Sequence, residues 1–157
     1  MKTLHPAPSE AKPLMIGEWA DIGVCREGDD YYLAHSSGMW RPAVLVWHSR
    51  DLRCWRPLRY AVDSHPGEVW LTDLVKDDDR FRVFWLEPQG LAPDYSEAGG
   101  FTAEASAING PWSAPQATGL PPDVVLGHDE NGGRFAFSSP GRLQVQRLAD
   151  GLQPAEK

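Results

Sequence analysis

The chain has few cysteines, no long hydrophobic run and no cluster of positive charge, and each absence excludes a class of protein. Cys25 and Cys54 are the two cysteines among 157 residues, and they lack the spacing of a disulfide framework or a zinc site. No stretch approaches the roughly 18 apolar residues of a membrane span. The 15 Lys and Arg residues are scattered and the net charge is −7, so we expect neither a membrane nor a nucleic-acid partner.

Signals for secretion and for metal or cofactor binding are also missing. The N-terminal segment "MKTLHPAPSEAKPLM" has no apolar core of the kind that directs secretion, so we expect an irregular arm over residues 1–15 and a cytoplasmic location. The histidines are spread along the chain without metal-ligand spacing, and there is no Gly-rich phosphate loop. We therefore expect no bound metal and no cofactor.

What the sequence does contain is a β pattern with many turns. It has 15 Gly and 14 Pro, and it offers no amphipathic helix of useful length. Runs rich in aromatic and β-branched residues, several with alternating polarity, predict strands. These runs span residues 30–37, 43–49, 80–87, 101–107, 134–139 and 143–149. The sequence therefore predicts an all-β protein.

A repeat of about 50 residues organises the strands. Asp21, Asp73 and Asp123 are 52 and 50 residues apart, and each begins or interrupts a short apolar run that precedes a turn and an aromatic strand. A period near 50 residues made of four short strands is typical of a β-propeller blade, with a β-sandwich as the alternative. We predict one partial β-propeller domain over residues 16–157. Its three blades, of about four strands each, span about 17–60, 68–118 and 120–157.

The propeller prediction gives a reason for a charge at the start of an apolar strand. The first strand of each blade lines the central channel, so an aspartate at the channel mouth can stay hydrated while the next residues pack between blades. The three aspartates would then converge on one channel. The alternative is that each is a turn or cap residue. Three blades cannot close a ring, so we expect a homo-oligomer or a partner chain to cover the open sheets.

Several segments resemble glycoside hydrolase family 43, whose members are five-bladed propellers that remove arabinose and xylose from plant polysaccharides. The resemblance covers about residues 17–155, and the segments follow the family's order. They are "ADIGVCREGDDYYLAHSSG", "VLVWHSRDLRCWRPL", "EVWLTDLVKDDDRFRVFW", "AINGPWSAP" and "LPPDVVLGHDENGGRFAFSS".

The resemblance implies roles for three aspartates. Asp21 matches the general base, and Asp123 matches the aspartate that raises the pKa of the general acid and orients it. Asp73 matches the second-blade motif and would be structural or lie at the edge of a sugar subsite. An inverting glycosidase needs one carboxylate to activate water and one protonated carboxyl to release the leaving group.

The chain also departs from the family. No residue matches the family's general-acid glutamate, so the acid would come from outside this chain. Ile22 and Val124 replace the prolines that usually follow the first and third aspartates.

The tryptophans have two readings. Trp40, Trp19 and Trp70 are candidates for stacking on a sugar ring, because indole faces bind flat apolar surfaces. The alternative for each is core packing.

Three functions remain open from the sequence. The first is a glycoside hydrolase that acts on arabinofuranosyl or xylosyl linkages. The second is a non-catalytic carbohydrate-binding module. The third is an oligomerising propeller fragment without sugar chemistry.

Overall fold

The computed structural model describes residues 15, 19–37, 43–88, 99–139, 141–149 and 152–155, and these residues contain strands but no α-helix. The strands are β1 (Ala20–Glu27), β2 (Asp30–Ser36), β3 (Val44–Ser49), β4 (Arg56–Val62), β5 (Trp70–Asp77), β6 (Arg80–Glu87), β7 (Gly99–Ala105), β8 (Gln116–Ala117), β9 (Val125–His128), β10 (Arg134–Ser138) and β11 (Gln144–Leu148). The all-β prediction is confirmed. Within the same residues, no helix has the length and apolarity to cross a bilayer. The predicted arm lies outside the described residues, apart from residue 15.

The strands form three antiparallel sheets, which we call blades 1, 2 and 3. Blade 1 has the order β1-β2-β3-β4, blade 2 has β5-β6-β7-β8, and blade 3 has β9-β10-β11. The prediction of four strands per blade therefore holds for two blades, while the described part of the third has three strands. Pro154 pairs with Leu148 as an isolated bridge beside β11, at the place a fourth strand would take.

The blades pack face to face in sequence order, with their first strands side by side. β1 packs against β5, and β5 contacts β9. At Gly23 of β1 the approach is so close that a Cβ atom would overlap the backbone nitrogen of Leu74 in β5. This succession of sheets is the arrangement of propeller blades rather than of a two-sheet sandwich.

Each junction between blades buries its own apolar cluster. Val44 and Val46 of blade 1 are fully buried with Leu74 and Val83 of blade 2. A second cluster joins Phe84 of blade 2 to Val124, Leu126, Ala136 and Leu148 of blade 3. Both clusters depend on strand alternation, which directs successive side chains to opposite faces of a sheet.

Charged residues also join the blades. They lie at the hairpin ends of the first strands β1, β5 and β9, which we call the inner strands. Glu27 of blade 1 forms an ion pair with Lys76 of blade 2. Asp77 of blade 2 is fully buried and bonds His128 of blade 3 at 3.0 Å. Arg82 and Arg134 also pair with Asp77, at the same junction. A buried carboxylate is tolerated only with such partners, so this network constrains how blade 3 docks on blade 2.

The contact at Gly23 gives a stability prediction. We expect Gly23→Ala to lower the free energy of unfolding by about 1–3 kcal/mol, because the added methyl group meets backbone atoms of β5 and forces the strands apart. Chemical denaturation measures the change.

Gly119→Ala is the matched control, because a Cβ atom at Gly119 would meet nothing within 4 Å. We expect it to change stability by less than about 0.5 kcal/mol. Equal effects of the two substitutions would contradict the close packing of β1 on β5.

Candidate active site

Asp21 lies in a β-bulge of β1 and carries an exposed carboxylate. Ala20 pairs with Ser36 and Ile22 with His35, so Asp21 has no cross-strand partner in the β1–β2 ladder. Its φ is 54°, a left-handed conformation that aspartate tolerates better than most residues. The Ser36 hydroxyl donates a hydrogen bond of 2.8 Å to Asp21 Oδ2. The bulge thus turns a charged side chain out of an otherwise regular strand.

Asp123 is held in a different way, in the turn before β9. It is half-buried, and its Oδ2 accepts a hydrogen bond of 2.6 Å from the backbone N–H of Ser139. Its Oδ1 is buried and has no hydrogen-bond partner within the described chain. A buried carboxylate oxygen without a partner is costly, and a catalytic role is one explanation for such a group.

Both aspartates are supported from the end of the second strand of their own blade, which the sequence analysis did not predict. Ser36 ends β2 and Ser139 directly follows β10, so each partner comes from the end of the second strand of its blade. The segments "AHSS" (34–37) and "AFSS" (136–139) repeat the Ser-Ser pair at this place. For Asp21 the donor is a serine hydroxyl, so the serine at the end of β2 was the available signal. For Asp123 the donor is a backbone N–H, which any residue except proline supplies, so no residue type could have indicated it.

Asp73 does not occupy the position of Asp21. The bulge of β5 falls at Thr72, because Leu71 pairs with Trp85 and Asp73 with Phe84. Asp73 Oδ2 accepts a hydrogen bond of 2.8 Å from the Leu126 N–H in β9. The carboxylate therefore links blade 2 to blade 3, and its role in sugar binding stays a prediction.

The environment of Asp73 acts on its charge in two directions. Burial raises the pKa of the carboxyl above its ordinary value, while backbone hydrogen bonds from Leu126 and Leu74 act to lower it. The net shift is upward because desolvation of the charged form is the larger effect.

The tryptophan candidates lie in different surroundings. Trp19 is partly exposed and packs on blade 1, with its ring centroid 4.4 Å from that of His35 and 6.1 Å from that of Trp47. Trp70 begins β5 and is half-buried, and its indole N–H donates a hydrogen bond of 2.7 Å to Glu68 Oε1. Trp40 lies outside the described residues.

The site therefore has two aspartates supported within their own blades. Asp21 is in blade 1 and Asp123 precedes the first strand of blade 3, while the inner strand of blade 2 packs between their blades. That both side chains face one channel stays a prediction. Among the described residues, no three His, Cys, Asp or Glu side chains are grouped so that they could hold a metal ion.

Solved structures share this fold. The chain superposes on xylan beta-1,4-xylosidase from Bacillus halodurans C-125 with a TM-score of 0.75 and 24% identity, covering 92% of this chain and 32% of that chain. It superposes on the GH43B protein of the Bacteroides ovatus xyloglucan PUL with a TM-score of 0.76 and 25% identity, covering 93% of this chain and 31% of that chain. The fold is thus a partial β-propeller of the kind found in glycosidases.

Sequence comparison identifies the family. The chain belongs to glycosyl hydrolases family 43, whose sequence profile matches residues 11–150. It is 30% identical over 141 residues to xylosidase/arabinosidase 43B of Humicola insolens, which covers 82% of this chain and 26% of the relative. It is 27% identical over 152 residues to beta-xylosidase of Bacillus subtilis strain 168, which covers 88% of this chain and 28% of the relative. The chain thus spans about a quarter of the length of the curated relatives it matches.

The raised pKa of Asp73 predicts a pH-dependent contribution to stability. The folded state holds the proton of Asp73 more tightly than the unfolded state, so this contribution is fully present below pH 3.8 and is lost as the pH rises through the folded pKa. Asp73→Asn removes the ionisation and keeps a side-chain oxygen for the Leu126 N–H. We expect the Asn variant to be at least as stable as the parent at pH 7 and to lack this part of the decline, as measured by denaturation across the acid range.

Asp73→Ala is the companion variant, because it removes the acceptor as well as the charge. We expect it to cost about 1–3 kcal/mol, since the Leu126 N–H loses its partner. An Asn variant as unstable as the Ala variant would show that the hydrogen bond from Leu126 does not hold the blades together.

Proposed function

We propose that this chain is the part of a family 43 glycoside hydrolase that carries the general base and the carboxylate that modulates the acid. Its substrates are xylosyl or arabinofuranosyl linkages, and the reaction inverts the anomeric carbon. The observation that carries the proposal is the exposed Asp21 carboxylate, held in its bulge by Ser36 in a chain of this family.

The surroundings of Asp21 suit a general base. The side chain is exposed, so a water molecule can reach its oxygens. The hydrogen bond from Ser36 occupies Oδ2, which fixes the carboxylate and leaves Oδ1 for the water. In the proposed step, water attacks the anomeric carbon, its proton passes to Asp21, and the glycosidic C–O bond breaks on the opposite face.

The surroundings of Asp123 suit a residue that acts on a second carboxyl group. Ser139 fixes one oxygen, and Oδ1 can accept a hydrogen bond from the O–H of a carboxylic acid placed beside it. A negative charge there raises the pKa of that acid and keeps it protonated. The acid would be supplied by further blades, either from a longer form of the protein or from another chain.

Carbohydrate binding without cleavage is the second candidate. It is favoured by the partly exposed ring of Trp19 in the same blade as Asp21. In that case Asp21 and Asp123 would bind sugar hydroxyls, while Trp70 and Trp19 would contact the ring faces.

The base assignment can be tested on this chain without its acid. A 2,4-dinitrophenyl β-xyloside needs no proton, because its leaving group departs as a stable anion, whereas methyl β-xyloside needs an acid. We expect the chain to hydrolyse the first substrate and not the second. Asp21→Asn should lower the rate on the activated substrate by about 10²–10⁴-fold, as measured by release of dinitrophenolate.

Asp29→Asn is the matched control, because Asp29 is an exposed aspartate in the β1–β2 turn. It should keep the parent rate. A parent rate that Asp21→Asn leaves unchanged would refute the base assignment. Saturable xylose binding without turnover, detected by calorimetry and abolished by Asp21→Asn, would favour the binding module instead.

The stereochemical outcome tests the inverting mechanism independently. We expect the first product from the β-xyloside to be α-xylose, because water attacks the face opposite to the leaving group. Proton NMR in the first minutes of the reaction distinguishes the two anomers. Initial release of β-xylose would contradict the direct attack of a water activated by Asp21.

A further inference from the structure

A cavity lies where blades 1 and 2 meet, at the end of the inner strands opposite to Asp21. Its volume of about 440 Å³ is within the range of about 300–1,000 Å³ for small-molecule sites. Blade 1 lines it with the hairpin ends of β1 and β2, and blade 2 lines it with the turn at residues 106–109. Glu27 of this lining is six residues from Asp21 along β1, about 20 Å of extended strand. The cavity is therefore far from the candidate active site.

Contacts between the two blades hold the walls of the cavity in place. The indole N–H of Trp112 donates a hydrogen bond of 3.1 Å to the Ile108 carbonyl, which fixes the turn after β7. Arg59 of blade 1 donates a hydrogen bond of 3.2 Å to the Asn109 carbonyl in the same turn. Both walls thus come from blades that this chain contains and that pack directly on each other.

Tyr32 brings a hydroxyl without a partner to this cavity. The residue is 7% exposed, and its ring centroid lies 5.7 Å from that of Phe81 and 5.4 Å from that of His48. Its hydroxyl forms no hydrogen bond with a described residue. Burial raises the pKa of Tyr32, and the charges of Asp30 and Glu27 act in the same direction, so the hydroxyl keeps its proton. A polar group on so buried a side chain is normally satisfied, and this one indicates a bond to a molecule in the cavity.

Two carboxylates at the cavity each have one oxygen engaged by a basic side chain. Glu27 Oε1 forms an ion pair with Lys76 of blade 2. Asp30 Oδ1 accepts a hydrogen bond of 2.9 Å from Arg50 and is bonded to His48 at 2.6 Å. Within the described chain, the other oxygen of each carboxylate has no hydrogen-bond donor. Two acceptor oxygens are thus left beside the Tyr32 hydroxyl.

The balance of charge favours a neutral ligand over a cation. Lys76 and Arg50 already compensate the two carboxylates, so a bound ammonium group would compete with a basic side chain. A carboxylate oxygen also accepts from a neutral O–H group, and the Tyr32 hydroxyl both donates and accepts. Leu58 is 39% exposed and adds an apolar surface to the same cavity. A sugar ring matches this lining, because it has O–H groups around its edge and C–H groups on its faces.

We propose that this cavity binds a neutral sugar and forms a second carbohydrate site, at the end of the blades opposite to Asp21. Sugar hydroxyls donate to the free oxygens of Glu27 and Asp30 and share a hydrogen bond with Tyr32, while ring C–H groups contact Leu58. A polysaccharide held here is bound without being cleaved. The use of xylose units as the probe rests on the proposed function, whereas the site itself does not.

Titration of the isotope-labelled chain with xylotriose, followed by NMR, tests this site. We expect saturable shifts of the backbone amides at residues 106–109 and at Tyr32. Tyr32→Phe keeps the ring and removes only the hydroxyl, so it should raise the Kd measured at these amides by about 3–10-fold. The amides of Ile22 and Ser36, beside Asp21, report on the candidate active site in the same spectra.

Tyr31→Phe is the matched control, because Tyr31 is the neighbouring residue of β2 and its side chain points to the opposite face of the sheet. It should leave this Kd unchanged. Ala107→Trp is a second variant, which fills the cavity from an exposed position in the turn. It should abolish the shifts at the cavity while the circular dichroism spectrum stays that of the parent.

The absence of shifts at residues 106–109 would overturn the proposal, as would a Kd that Tyr32→Phe leaves unchanged. Saturable binding of ethylammonium at these amides, with no binding of xylotriose, would also overturn it and identify a cation site. Shifts at the cavity without any beside Asp21 would support the second site and count against the proposed function.

Discussion

The structure depends on one constraint, which is that every blade has two faces and must bury both. A single sheet cannot cover its own apolar faces, so its apolar side chains are shielded from water only by the next sheet. Blade 2 satisfies this requirement on both sides, through the cluster around Leu74 and Val83 and the cluster around Phe84 and Leu126. Blades 1 and 3 satisfy it on one side, which explains why Val24 and Val145 remain exposed.

The same packing determines where the candidate site lies, because its aspartates are on or next to the inner strands of the blades. Close approach of β1 and β5 needs a glycine at residue 23, and the bulge two residues earlier turns Asp21 outward. The β5–β9 contact is held by Asp73 and by the buried Asp77 network, so both carboxylates are bonded at the junction between blades 2 and 3. The chemistry that we propose uses Asp21 and Asp123, whose hydrogen bonds come from within their own blades rather than from a neighbouring blade.

Most of the fold could be predicted because strand alternation and turn residues are local signals. The predicted strand at 80–87 coincides with β6, and the predictions at 43–49 and 134–139 differ from β3 and β10 by one residue. The first strands were harder to delimit, because Asp21 and Thr72 sit in bulges and a bulge shifts the alternation by one residue. For the same reason, the spacing of 52 residues suggested that Asp73 is equivalent to Asp21. Counted back from the hairpin, however, Asp73 is equivalent to Gly23.

The candidate site was less predictable than the fold because its supports are set by register and by contacts between blades. Family resemblance selected Asp21 and Asp123, but not the bonds from Ser36 and Ser139 or the partner of Asp73 in the next blade. The most direct test is a crystal structure of the chain soaked with xylose. The account predicts a sugar bound between Asp21 and Asp123, with a water molecule on Asp21 beside the anomeric carbon. Carboxylates that open on opposite sides of the molecule, or a sugar bound only away from both, would contradict it.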